Sequence, residues 1–132
     1  MASTILIVDD EHDLAEMMAQ MLTEAGFEAR SAGSGREALA DVQANPPDLV
    51  LLDANMPELD GFEVAAILKS DPTTATIPII MVSANEGRGA RLIGLESGAE
   101  DYLAKPVDRA ELLAKIRNLL LLRQRTLHAA MH

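Results

Sequence analysis

The feature that most restricts the fold of this chain is an alternation. Short apolar runs (ILIV at 5–8, LVLL at 49–52, IIMV at 79–82) are separated by longer segments in which apolar residues recur every three or four positions. A run with no polar face must be covered on both sides if it is a strand. A helical segment between two such strands is the crossover that a parallel sheet requires, and that crossover is right-handed. Residues 4–8 read as the first strand. Residues 13–25 read as a helix, with Leu14, Met17, Met21 and Leu22 near one face and Gly26 as its stop. Residues 27–32 form a weaker strand. A second helix spans 34–44, opened by the capping pattern Ser34-x-x-Glu37 and closed before Pro46 and Pro47. Residues 48–52 form the third strand and 62–69 the third helix, ended by Asp71-Pro72. Residues 77–82 form the fourth strand, with Pro78 confined to its start. A fourth helix is predicted over 86–97, weakened by Gly87, Gly89 and Gly94 and stopped by Gly98. A short fifth strand covers 101–104. Asp108-x-x-Glu111 opens a last helix that runs past Arg125.

At 132 residues the chain fits one domain, and a domain of that size buries roughly two thirds of its unfolded surface. Aromatic residues are only 2%, so Leu, Ile, Val, Met and Ala must fill the core. Cysteine is absent, which removes disulfides and thiolate chemistry and fits a reducing compartment. The start, MASTILIVDD, lacks the basic region of a signal peptide, and no apolar run approaches the roughly 20 residues of a membrane helix. A cytoplasmic protein without membrane contact is expected. The net charge of −10 argues against direct nucleic-acid binding, which rests on Lys and Arg neutralising phosphates. Charge is uneven, however: from Arg109 to Arg125 there are five basic residues and one acid, Glu111.

Ligands of open parallel sheets bind beyond the carboxyl ends of the strands. Asp9 and Asp10 follow the first strand, the third ends at Asp53 and the fourth at Ser83, and Lys105 sits just beyond the fifth. Gathered carboxylates repel one another. A divalent cation with hard oxygen ligands, Mg²⁺ above all, would screen them and is often completed by a phosphate. Aspartate can itself accept a phosphoryl group, with Lys105 pairing to its oxygens and the Ser83 hydroxyl hydrogen-bonding to one. Each residue alone has a plainer reading. Asp9, Asp10, Glu11 and Asp13 also suit a helix start, where carboxylates gain about 0.3–1 kcal/mol from the dipole. Asp53 could be a loop cap, Ser83 a turn hydroxyl and Lys105 a solvated side chain; their joint placement favours the phosphoryl site. Gly33-x-Gly35-x-x-Ala38, with Asp53 twenty residues beyond Gly33, mimics a dinucleotide fingerprint. That reading leaves Asp9, Asp10 and Lys105 idle, and capping explains the glycines more simply.

VDDE, LLDANMP, DGFE, MVSA and YLAKP occur in this order, and over residues 1 to about 120 the chain resembles the receiver domain of two-component response regulators. The resemblance implies a flavodoxin-like (βα)₅ three-layer α/β sandwich with a parallel five-stranded sheet of order 2-1-3-4-5. It implies Asp53 as phospho-acceptor, Asp10 and Asp53 as direct Mg²⁺ ligands, Asp9 acting through metal-bound water, and Asn55 giving its backbone carbonyl. Ser83 and Lys105 would contact the phosphoryl group, Tyr102 would be the aromatic whose rotamer follows Ser83, and the Lys105–Pro106 bond would be cis. The donor would be a sensor histidine kinase or a phosphotransfer domain. Phosphorylation would reshape the face made by the fourth helix, fifth strand and last helix. Val107 departs from the Phe frequent after the Lys-Pro pair. DPTTATIP, EGRGARLIGLESGA and NLLLLRQ are similar to receivers joined to diguanylate cyclase modules or to hybrid kinases.

The expected division is a receiver domain over 1–122 and an extension of the last helix over 123–132. Leu112, Leu113, Ile116, Leu119 and Leu120 supply its packed face; Leu121, Leu122 and Leu127 carry the apolar surface round it. Successive helical residues lie about 100° apart, so four consecutive leucines cannot share one core. Self-association through this helix, or continuation into an output module, is predicted. The expected function is a phospho-accepting signalling switch, not a turnover enzyme. The alternatives are a phosphorylation-independent interaction module and a Mg²⁺-dependent phosphohydrolase with Asp53 as nucleophile, for which an additional acid/base and a substrate pocket are not visible.

Overall fold

The apolar runs become the centre of a parallel sheet. In a computed structural model, which describes residues 2–84 and 96–130, β1 (Thr4–Val8), β2 (Glu28–Ala32), β3 (Leu49–Asp53), β4 (Ile79–Ser83) and β5 (Asp101–Ala104) pair in parallel in the order β2-β1-β3-β4-β5. This is the order expected. α1 (His12–Glu24), α2 (Gly35–Ala44), α3 (Gly61–Ser70) and a last helix (Arg109–Ala130) complete the described elements. The predicted helix at 86–97 lies almost wholly outside the described residues.

Side chains alternate across each strand and divide the core in two. Leu6, Val8, Val50, Leu52, Ile79 and Met81 face one side, under Ala38 and Val42 of α2 and Val64, Ala65 and Leu68 of α3. Ile5, Ile7, Leu49, Leu51, Ile80 and Val82 face the other, under Ala15, Met18 and Leu22 of α1 and Leu112, Ile116 and Leu120 of the last helix. Each fully buried Leu, Ile or Val contributes about 1.5–3 kcal/mol. A slip of one residue would move every side chain to the opposite face, so this packing also fixes where each strand ends.

Several expectations need correction. β3 and β4 end at Asp53 and Ser83, one residue beyond the apolar ranges 48–52 and 77–82, and β4 begins at Ile79 rather than 77. The ladder continues through them, Asp53 opposite Val82 and Ser83 opposite Ala104. Met17, expected near the packed face of α1, is 43% exposed. The buried stripe runs through Ala15, Met18 and Leu22, which turns Met17 outward.

The predicted caps form. Ser34 Oγ accepts from the Glu37 N–H at 3.1 Å, while Glu37 Oε2 accepts from the Gly33 N–H at 2.7 Å. Asp108 Oδ2 accepts from the Glu111 N–H at 2.9 Å. A full capping box was not anticipated: Asp60 and Glu63 exchange side-chain-to-backbone bonds at the start of α3. Gly26, just past α1, has φ of 94°, the left-handed conformation its stop role requires.

Long-range polar contacts brace the edge of the sheet opposite the strand ends. Lys69 Nζ, at the end of α3, donates to Ala75 O, Ile77 O and Glu100 Oε2 at 3.0, 2.8 and 2.7 Å. Glu100 Oε1 accepts from the Ile79 N–H at 2.8 Å. The last helix runs unbroken across residue 122 to Ala130, and Arg123 donates to the Asp48 carbonyl at 3.1 Å. Leu121 and Leu122 are 47% and 55% exposed, as expected; the side chain of Leu127 lies outside the described residues. No helix among the described residues is long and apolar enough to cross a membrane.

Candidate functional site

β1 and β3 are neighbours in the sheet, and each delivers an acid at its carboxyl end. Asp9 leaves β1 directly and is 2% exposed; Asp53 ends β3 and is 4% exposed. Asp10, one residue on, is exposed at the rim. One carboxylate oxygen from each of the three lies within 4.8 Å of the others. Lys105 reaches them from just past β5: its Nζ is 3.4 Å from Asp9 Oδ2 and 3.4 Å from Asp53 Oδ1. The Lys105–Pro106 bond is cis.

The two oxygens of Asp9 have different tasks. Oδ1 accepts from the Glu11 N–H at 2.9 Å and so holds the turn into α1, whose own N-cap residue, Glu11, gives no side-chain bond. Oδ2 is buried and makes no hydrogen bond; the Lys105 ammonium faces it at 3.4 Å. Asp53 Oδ1 accepts from the Asn55 N–H at 3.2 Å, and the Asn55 side-chain amide donates to Ser83 Oγ at 3.5 Å. Ser83 is itself buried, and the Lys105 N–H donates to its carbonyl at 2.9 Å. Asp9, Asp10, Asp53, Lys105, Asn55 and Ser83 therefore converge. Tyr102 lies further down β5, opposite Met81 in register, with its side chain in the core on the α2–α3 face.

Burial removes water from the Asp53 carboxylate and raises its pKa from 3.8 to about 6. The Asn55 N–H opposes that rise, the Asp9 carboxylate adds to it, and Lys105 offsets part of it. Burial pulls the Lys105 ammonium down, but the Asp53 and Asp9 carboxylates outweigh it and leave the pKa above the ordinary lysine value. A cluster of this kind is electrostatically unfinished. An unbonded, buried carboxylate oxygen beside two further acids is a donor set that fits a small hard cation such as Mg²⁺.

Sequence reasoning missed Gly61. A Cβ there would fall 2.2 Å from the Asp53 carbonyl oxygen and 2.9 Å from Ala54 Cα, and the Gly61 N–H donates to Ala54 O at 3.1 Å. The start of α3 thus packs directly on the backbone of Asp53, an approach only glycine permits. The signal available was the glycine of DGFE, eight residues after the Asp53 of LLD.

A doubly wound parallel sheet with clustered acids and a lysine at the carboxyl ends of its strands defines a signalling receiver. The chain belongs to the response regulator receiver domain family, whose model matches residues 5–117. It is 44% identical over 119 residues to the response regulator PleD of Caulobacter vibrioides, covering 90% of this chain and 26% of PleD. It is 42% identical over 120 residues to the transcriptional regulatory protein GltR of Pseudomonas aeruginosa, covering 89% of this chain and 48% of GltR. The chain thus spans a quarter to a half of the length of these relatives. Among solved structures, the chemotaxis protein CheY4 of Vibrio cholerae superposes with a TM-score of 0.84 at 30% identity, covering 90% of this chain and 99% of that one.

Proposed function

We propose that this receiver is a Mg²⁺-dependent phospho-accepting switch in which Asp53 takes a phosphoryl group from the phosphohistidine of a sensor kinase or phosphotransfer domain. The observation that carries the reading is the convergence of three carboxylates on one ammonium: Asp9, Asp10 and Asp53 within 4.8 Å, and Lys105 at 3.4 Å from both buried acids. In the transfer, an Asp53 carboxylate oxygen forms the new P–O bond as the P–N bond to the donor imidazole breaks and its electron pair returns to that ring. With a pKa of about 6, Asp53 is mostly ionised at neutral pH and so nucleophilic. Its Oδ1 is held by the Asn55 N–H, which orients the carboxylate. Asp10, Asp53 and the Asn55 backbone carbonyl would hold Mg²⁺ directly, and Asp9 through water. Bound there, the ion supplies the positive charge that lets an anionic phosphoryl group approach an anionic carboxylate. Lys105 pairs with the incoming oxygens from the other side, and Ser83 donates its hydroxyl to one of them.

The new group adds about −1.5 to −2 charge and three acceptors. Ser83 then moves toward it and Tyr102 follows, shifting the face that includes β5 and the last helix. The chain acts in the cytoplasm as a regulatory domain without turnover of an external substrate. The receiver spans 1–122, and the extension over 123–132 leads toward an output module or a second copy, met through Leu121 and Leu122. Incubation with Mg²⁺ and a small phosphodonor tests the central claim. Mass spectrometry is expected to find one phosphoryl group on wild type and none on Asp53→Asn; an unmodified wild type favours a phosphorylation-independent module, and steady hydrolysis of phosphoesters favours a hydrolase.

A further inference from the structure

β5 is the strand with the least support. It is four residues long, stands at an edge, and bonds to β4 on one side only. Yet it leads directly into Lys105, whose ammonium must be placed within ångströms of Asp9 and Asp53. The Lys105 N–H donates to Ser83 O on β4. Backbone groups alternate in direction along a strand, so Leu103 and Lys105 address β4 while Tyr102 addresses the open side. On an edge strand such groups ordinarily meet water or a foreign strand.

Here they meet a side-chain ring. Asp101 Oδ1 accepts from the Tyr102 N–H at 2.8 Å. Lys115 Nζ, from the last helix, donates to the Tyr102 carbonyl at 3.0 Å and to the same Asp101 Oδ1 at 2.9 Å. The pair is largely sheltered, with side chains 22% and 29% exposed. Leu112 and Ile116, on either side of Lys115 in sequence, are fully buried and fix that turn of the helix. β5 is therefore gripped from both sides: by the β4 ladder inward and by Lys115 outward. The outward grip acts three residues before Lys105, about 10 Å along an extended chain.

We propose that Lys115 is a positioning residue for Lys105: by clamping the outer edge of β5 to the last helix, it sets where the Lys105 ammonium stands relative to Asp9 and Asp53. The role rests on the reading of Lys105 as the group that pairs with the phosphoryl oxygens. It also makes the last helix a direct neighbour, through one side chain, of the strand that carries that lysine.

The test uses the full chain and the variants Lys115→Met, Lys115→Arg, Lys105→Met and the double Lys115→Met/Lys105→Met. Two quantities are measured: amide hydrogen exchange without metal, and dissociation constants for Mg²⁺ alone and for beryllofluoride at saturating Mg²⁺. Lys115→Met keeps the aliphatic stem and removes the donors. It is expected to speed exchange of the Tyr102 and Lys105 amides roughly tenfold or more while those of Ile7 and Leu51 stay protected. It is expected to weaken beryllofluoride binding several-fold with Mg²⁺ affinity unchanged; Lys115→Arg restores both readouts. The double variant should bind no worse than Lys105→Met, because the two residues act in series. Wild-type beryllofluoride affinity in Lys115→Met, or independent losses in the double variant, overturns the role of Lys115 alone. An unchanged Lys105→Met instead overturns the reading of Lys105, and the positioning role with it. If Lys115→Met does not fold, Lys115→Gln, which keeps a shorter donor, carries the same comparison.

Discussion

Ionised Asp53 is a burden on the fold when no cation is bound, and removing its charge should stabilise the protein. Burial carries the carboxyl from 3.8 to about 6. At about 1.4 kcal/mol per tenfold change in proton affinity, that is about 3 kcal/mol. The folded protein holds this proton more tightly than the unfolded chain does. The contribution is therefore complete below pH about 4 and is lost as pH rises through about 6. Asp53→Asn is neutral throughout, and its side-chain oxygen can still accept from the Asn55 N–H. In metal-free buffer at about pH 7.5 the variant should be more stable than wild type by up to about 3 kcal/mol, or about 10 °C in Tm for a domain of this size. Near pH 4 the difference should close. Urea denaturation in EDTA, repeated across that range, measures the gap. Added Mg²⁺ should stabilise wild type more than the variant, because it binds only the folded acidic cluster. A variant no more stable than wild type at neutral pH, or a gap that stays constant down to pH 4, refutes the argument that desolvation dominates at Asp53.

Other perturbations separate the parts of the site. Lys105→Ala should leave phosphorylation of Asp53 intact by mass spectrometry while abolishing the accompanying chemical-shift changes in β5 and the last helix. Asp10→Asn removes an exposed acid, so Mg²⁺ affinity by calorimetry should fall roughly tenfold or more with stability within about 0.5 kcal/mol of wild type. Gly61→Ala forces a Cβ to within 2.2 Å of the Asp53 carbonyl; it should cost about 1–3 kcal/mol in urea denaturation, as overpacking does, and slow phosphorylation as well. Leu112→Ala, in the fully buried face of the last helix, should cost about 2–5 kcal/mol without changing which residue is phosphorylated.

The apolar runs were enough to read the sheet, because a strand buried on both faces leaves an unbroken hydrophobic signature. The strand ends were harder to place. Asp53 and Ser83 are polar, so a reading by hydropathy stops before them, but the ladder is made of backbone groups and continues across both. The order of acids and lysine along the chain was legible, since the topology sends every strand end to one edge. Distance was not: nothing in the sequence states that Lys105 stands equally far from Asp9 and Asp53. The pairs Lys69–Glu100, Asp48–Arg123 and Asp101–Lys115 were also invisible, because each joins segments that only the fold makes neighbours. Gly61 could have been suspected, since a glycine opening a helix just after an acidic strand end marks a close approach of backbones. For Asp9 the helix-start reading is visible in one oxygen, which accepts from the Glu11 N–H, while the other lies buried 3.4 Å from the Lys105 ammonium.

That division of labour in Asp9 has a consequence for ligand entry. The oxygen tied to the Glu11 N–H anchors the side chain to the first turn of α1, so its rotamer is settled before any ion arrives. A hydrated cation meets an acceptor already aimed, and little side-chain entropy of Asp9 remains to be lost on capture. Conversely, a rearrangement that swung this carboxylate away would break the bond that holds the turn into α1.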